Sequence, residues 1–255
     1  MNPTMVGGIV FTCTFAAALL GMWVRPTAPE KQLDPESRDT VKVGIGLIAT
    51  MTALVLGLIT ASAKSSFDGV QTAMKHTAMQ LLTLDRVLAR YGPETGAIRQ
   101  DLQHIVGARI DRIWPPGPAQ PGRRDLMRAG APVAAERLAD AIDGLQPRDD
   151  AQRALQSRAM DLTEALLQDR WVQITGAGAS VPLPFLVVLL FWLTITFGSF
   201  GLFAPPKPLV VVVLFVCAVS IGSAVFLVLE LDGPFDGLLK VSPEAVRAAH
   251  AHLNQ

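Results

Sequence analysis

The chain has 255 residues, 50% of them hydrophobic and only 17% charged, with 22 basic side chains balancing 22 acidic ones. The apolar residues are clumped into long windows, which excludes an ordinary water-soluble globule and points to a membrane protein. A formal net charge of zero gives neither nucleic acid nor an anionic surface a hold on the whole molecule.

Four windows hold the roughly 20 apolar residues that a hydrocarbon core of about 30 Å demands. They are residues 5–24, 41–63, 183–203 and 209–231. The first lacks a basic leader, is long for a signal peptide and is followed by charged residues without a clear cleavage site, so it is expected to be a retained span. Cys13 and Cys217 both fall inside spans, where a thiol behaves as a small apolar group. They imply no disulfide framework.

The first hairpin turns through RPTAPEKQLDPESRDTVK, where Asp34 or Ser37 is suited to cap the second long helix. The second hairpin turns through LFAPPKP, because Pro205, Pro206 and Pro208 cannot continue a helix interior. An even number of spans puts both termini and the long middle segment on one face. Near the span ends that face carries Lys64, Lys75, Arg170, Lys240 and Arg247, and the other carries Arg25, Lys31, Arg38, Lys42 and Lys207. Five against five does not orient the protein by its charges.

Residues 64–180 contain no membrane-length run and read as a helical aqueous domain. Phe67, Val70, Met74, Leu81, Leu84, Leu88 and Tyr91 recur near helical spacing, up to a stop at Gly92-Pro93. Lys64 is followed by no glycine or proline until Gly69, so the second span is expected to leave the membrane unbroken. Ile98, Leu102, Ile105, Arg109 and Ile113 continue the period in another helix. PPGPAQPG at 115–122 breaks the chain, a short helix is expected near 131–145, and an amphipathic one from Asp149 to about Gln173 carries Leu155, Leu162, Leu166 and Trp171. The expected fold is all-α. Its domains are a first transmembrane hairpin (1–63), the aqueous domain (64–180), a second hairpin (181–231) and a tail (232–255).

The second span carries a distinctive stripe. Gly46, Thr50, Ala53, Gly57, Thr60 and Lys64 are spaced by steps of four and three and share one helix face, which is small or polar throughout. Leu47, Met51, Leu54 and Leu58 form a bulkier stripe beside it. Two readings compete. Small residues let helices approach closely in lipid, with Ala218 and Gly222 of the fourth span as a packing complement. Alternatively the face lines a watery path with Lys64 at its mouth attracting anions.

LDPESRDTVKVGIGLIATMTALVLGLITASAKSSFD, PFLVVLLFWLTITFGSFGLFAPP and FLVLELDGPFDGLLKVSPEAVRAA together resemble a bacterial family described as bestrophin-like. Two short places resemble the true bestrophins: Ser65-Ser66-Phe67-Asp68, at the end of their pore helix, and Asp232-Gly233-Pro234-Phe235, after their last span. Bestrophins are pentameric anion channels lined by the second span, so the resemblance implies a homo-oligomer, an anion such as chloride in the pore, and the bilayer as surroundings. It also implies a bacterial inner-membrane location with the middle domain in the cytoplasm. On an alignment anchored at Phe67, the three bulky rings of the bestrophin neck become Ala53, Gly57 and Ala61 here, and the arginine before the pore-helix motif becomes Ser62. A gate that works by dewetting needs bulky apolar side chains, which these are not.

Glu230, Asp232 and Asp236 cluster at the end of the fourth span, but calcium takes six to eight oxygens, so hydrogen bonding and helix-end solvation are the expected roles. Glu230 would be costly in lipid and is expected to face protein or water. His76, His104, His250 and His252 show no metal-ligand spacing, no cofactor motif occurs, and TGAGAS at 175–180 reads as a joint. Nothing suggests an enzyme. Asp85, Arg86 and Arg90 could form (i, i+4) or intersubunit ion pairs, the adjacent Asp85 and Arg86 only through a partner helix, but read by default as a solvated face. The functional expectation is a channel, with a non-conducting membrane scaffold as its rival.

Overall fold

The computed structural model describes residues 2–27, 35–114, 132–176, 183–235 and 237–255, and within them the side chains of all but 27, 35–38, 132–135 and 169–176. Asp34, the Ser37 and Trp171 side chains, the proline-rich break, the joint beyond Gly176 and Asp236 lie outside these. Every regular element among the described residues is helical. The α-helices are α1 (Pro3–Val24), α2 (Pro35–Tyr91), α3 (Gly96–Ile113), α4 (Pro132–Asp143), α5 (Asp150–Gly176), α6 (Leu183–Phe203), α7 (Pro208–Leu231) and α8 (Glu244–His252). Four of them are long and apolar enough to cross a membrane. The second is the 57-residue α2, which continues without a break from the span into the middle segment, as expected.

The chain forms two compact units, Met1–Ser66 with Ala179–Gly233, and Phe67–Gly178 with Pro234–Gln255. In the first, α1 packs against both α6 and α7. Helices in lipid gain little from burying apolar surface, so close approach depends on small residues. A β-carbon on Gly7 would lie 3.0 Å from the Cβ of Phe226 and 3.1 Å from the carbonyl oxygen of Gly222. Farther along α1, Gly21 lies against Gly198 and Leu202, and Ala18 against Gly201. Ala218 and Gly222, expected to complement the stripe on α2, are instead spent on α1: Gly222 abuts Gly7 and Phe11, and Ala218 is buried in a cluster with Ala18, Phe197 and Leu214. The reason is that α1 offers small residues of its own, and two small faces pack closest.

The second unit is built on Met74, Leu81, Leu84 and Leu88 of α2, with Leu102 of α3, Leu138 and Ile142 of α4, Ala159 and Leu162 of α5, and Val246, Ala249 and Leu253 at the end of the chain. Gly92, at φ 141°, stops α2 in a conformation that disfavours side chains. Thr95 Oγ1 then contacts the carbonyl oxygens of Leu88 (2.6 Å) and Gly92 (2.9 Å), covering acceptors left at the helix end. The buried face of α3 is Ile98, Leu102, Val106, Ile110 and Ile113. Ile105 packs against that core half-buried, as its spacing predicts, whereas Ile110 takes the buried position expected of Arg109.

Asp85 corrects a second expectation. It is not on a solvated face: its residue is 1% exposed, and it accepts two hydrogen bonds from Arg99 of α3, Nε at 2.8 Å and Nη2 at 3.0 Å. The backbone N–H of Asn254 donates a third at 3.2 Å, and Arg99 Nη2 also reaches the carbonyl oxygen of Gln255 at 3.3 Å. Hydrogen bonding to Asp85 raises the Arg99 pKa above its ordinary value, against the opposing effect of burial. The guanidinium thus stays charged at any working pH.

Candidate functional site

Within the first unit α2 has three distinguishable sides. Ile45, Thr52, Ile59 and Ala63 are buried, and Ile59 and Ala63 share a cluster with Val10 of α1, Leu189 and Leu193 of α6, and Val225 and Val228 of α7. Leu47, Met51, Leu54 and Leu58 form an exposed bulky apolar side. The third side is the stripe itself. Gly46, Thr50, Ala53, Gly57, Thr60, Ala61 and Lys64 are all exposed, and a β-carbon on Gly46 or Gly57 would meet no heavy atom within 4 Å. Among the described residues the stripe is thus left out of the chain's own packing, while Ala63 on the neighbouring face is 0% exposed.

The two hydroxyls of the stripe are turned inward. Thr50 Oγ1 donates to the Leu47 carbonyl oxygen at 2.8 Å, and Thr60 Oγ1 to that of Leu56 at 2.7 Å. Each proton is used by the helix backbone, so the outward side of each hydroxyl offers lone pairs. These two hydroxyls accept hydrogen bonds from water and give none directly to an anion. Of the stripe residues, Lys64 alone carries a positive charge.

Of the exit motif after the span, Ser65 is exposed, Ser66 and Asp68 are half-buried, and Phe67 packs on the core of the second unit. At the other exit Glu230 is 4% exposed, so it faces protein, and Asp232 is half-buried. Phe235 meets Trp114 edge-on at 6.1 Å, Trp114 Nε1 donates to the Val241 carbonyl oxygen at 3.0 Å, and the Val241 N–H donates to the Pro234 carbonyl oxygen at 2.9 Å. Pro234 and Phe235 therefore anchor the tail into the helical domain core. Among the described residues no three His, Cys, Asp or Glu side chains are grouped to hold a metal ion. The resemblance-based reading singled out neither the Asp85–Arg99 pair nor the α1 glycines. Only the 14-residue separation of Asp85 and Arg99 across the Gly92-Pro93 turn hinted at the former.

Four membrane-length helices and a continuous second helix define an all-helical integral membrane protein. The chain belongs to the family of the Bestrophin-like domain, whose profile matches residues 12–246. Among solved structures it is similar to a bacterial bestrophin homolog from Klebsiella pneumoniae, solved by zinc-based phasing, with 14% identity, coverage of 95% of each chain and a TM-score of 0.64. Two point variants of the Klebsiella pneumoniae homolog match at TM-scores of 0.67 and 0.65, with 15% and 14% identity, covering 96% of this chain and 94% and 96% of theirs. No curated protein matches the sequence. At these identities the similarity establishes the fold.

Proposed function

We propose that the protein is an anion channel, a homo-oligomer whose α2 helices surround a common path, five by analogy with bestrophins. It sits in the bacterial inner membrane with residues 64–180 in the cytoplasm. The observation that carries this reading is the exposure of the whole stripe from Gly46 to Lys64. A small, polar helix face left unused by its own chain is ready to meet water or a copy of itself. Because the threonine protons are committed to the backbone, an anion would pass with its water shell and be selected by the field of Lys64. The missing bulk at Ala53, Gly57 and Ala61 argues against a gate at those positions.

Flux of chloride from liposomes holding the purified oligomer, under a salt gradient, tests this. Lys64→Glu is expected to reduce the chloride preference at least several-fold. An unchanged reversal potential in that variant would remove the assigned selectivity.

The rival is a non-conducting scaffold whose stripe is a dry interface between copies. The back-bonded threonines favour it, because a hydroxyl so satisfied tolerates a dry setting. Gly57→Leu separates the two. Since no described residue of another element lies within 4 Å of a β-carbon there, the change should leave the subunit folded. For a wet path it is expected to preserve the oligomer and cut flux several-fold. Loss of the oligomer on size-exclusion with light scattering would favour the scaffold.

A further inference from the structure

A groove of about 440 Å³ lies in the first unit between α2 and the end of α6. Its walls include Ile45, Gly46 and Ala49 of α2 and Phe200 and Phe203 of α6, with Lys42 and Ala204 also lining it, so the groove borders the stripe at Gly46. Such a volume suits a small molecule.

The charges beside this apolar space are not arranged for a dry contact. The Arg25 guanidinium donates from Nη1 to the carbonyl oxygen of Ala204, in the groove wall, at 2.9 Å. The Lys42 side chain is 63% exposed and lies 2.9 Å from Asp39. Among the described residues, Arg25 and Lys42 bring two cations to this end of the groove and Asp39 one carboxylate, a balance that suits a phosphodiester anion. Chain connectivity fixes the level. Arg25 follows the last residue of α1, Ala204 follows the last residue of α6, and Lys42 stands at the start of the apolar stretch of α2. All three mark one end of the spans, where phosphate head groups lie and where basic pockets between spans recognise anionic lipid.

We propose that this groove binds an anionic phospholipid, with its phosphate between Arg25 and Lys42 and one acyl chain along Ile45, Ala49, Phe200 and Phe203. An arginine suits the phosphate through its several donors, of which one already holds Ala204. The chain portion gains from the apolar walls. This inference does not depend on whether the protein conducts ions.

The test uses the full chain, purified and delipidated in detergent. Bound lipid is counted by native mass spectrometry after titration with phosphatidylglycerol, phosphatidylcholine or inorganic phosphate. Phosphatidylglycerol is expected to bind at least tenfold more tightly than phosphatidylcholine. Arg25→Gln combined with Lys42→Gln should erase that preference, and Ala49→Phe, which fills the groove, should weaken both lipids tenfold. Equal binding of the two lipids by the unaltered chain would overturn the proposal. So would undiminished phosphatidylglycerol binding in the double variant, or stabilisation by phosphate alone equal to that by lipid. A change of subunit number with Ala49→Phe and intact lipid binding would assign the groove to a second copy instead. If Ala49→Phe fails to fold, the charge variants still decide.

Discussion

Gly201→Leu is expected to prevent the α1–α6 crossing and with it recovery of folded protein. A β-carbon at Gly201 would fall onto the carbonyl oxygen of Ala18, with the Ala18 carbonyl carbon 2.8 Å away. The obstacle is backbone, so no side-chain rotation relieves it and the helices must part. Overpacking ordinarily costs about 1–3 kcal/mol, and a clash with a facing backbone belongs at or beyond the top of that range. Gly21→Leu should behave alike, since its β-carbon would meet Gly198 and Leu202 backbone atoms. Gly8, one residue from Gly7, has no heavy atom within 4 Å of its β-carbon position, and Gly8→Leu should change stability by no more than about 0.5 kcal/mol. Elution profile and melting temperature in detergent decide. A Gly201→Leu protein indistinguishable from the Gly8→Leu control would mean the helices do not approach as closely as this.

The second large effect is expected in the helical domain. Asp85→Ala leaves Arg99, only 15% exposed at its side chain, without its carboxylate, and leaves the Asn254 N–H without its acceptor. Removing one partner of a buried ion pair costs about 3–5 kcal/mol, because the remaining charge stays in a poorly solvated place. For a protein of this size, that corresponds to a fall in melting temperature on the order of 10 °C. Asp85→Asn retains an acceptor but no charge and should lie between. The exposed pair of Arg153 with Asp150 is the control: its two ends are 67% and 97% exposed, and breaking it should have little effect. Equal melting temperatures for Asp85→Ala and Asp150→Ala would refute a stabilising role for the buried pair.

The parts of this fold that follow from local repetition were legible. Span boundaries follow from runs of apolar residues, and the stop of α2 follows from Gly92-Pro93, both of them local signals. The long unbroken helix was legible because no proline interrupts α2 after its first residue. What was not legible required knowing which surfaces meet. The amphipathic period of α3 was visible, but one residue of phase decided whether Arg109 or Ile110 entered the core. Asp85 looked solvated because its partner sits across a turn, on a different helix. The small residues of span 4 were read as a complement to the stripe on span 2, and only the structure pairs Gly222 with α1. The stripe itself was visible as a pattern, whereas its exposure depends on which face of α2 the other spans cover.

The unbroken course of α2 also limits how this chain can change in length over evolution. Each inserted residue advances a helix by 1.5 Å and about 100°. One residue added between Ala63 and Met74 would change by that angle the phase between the buried face of α2 in the first unit and its buried face in the second. Seven added residues return to within about 20° of the starting phase. Variation by single residues should therefore collect in the turns between helices, and any lengthening inside α2 should come in steps near whole heptads.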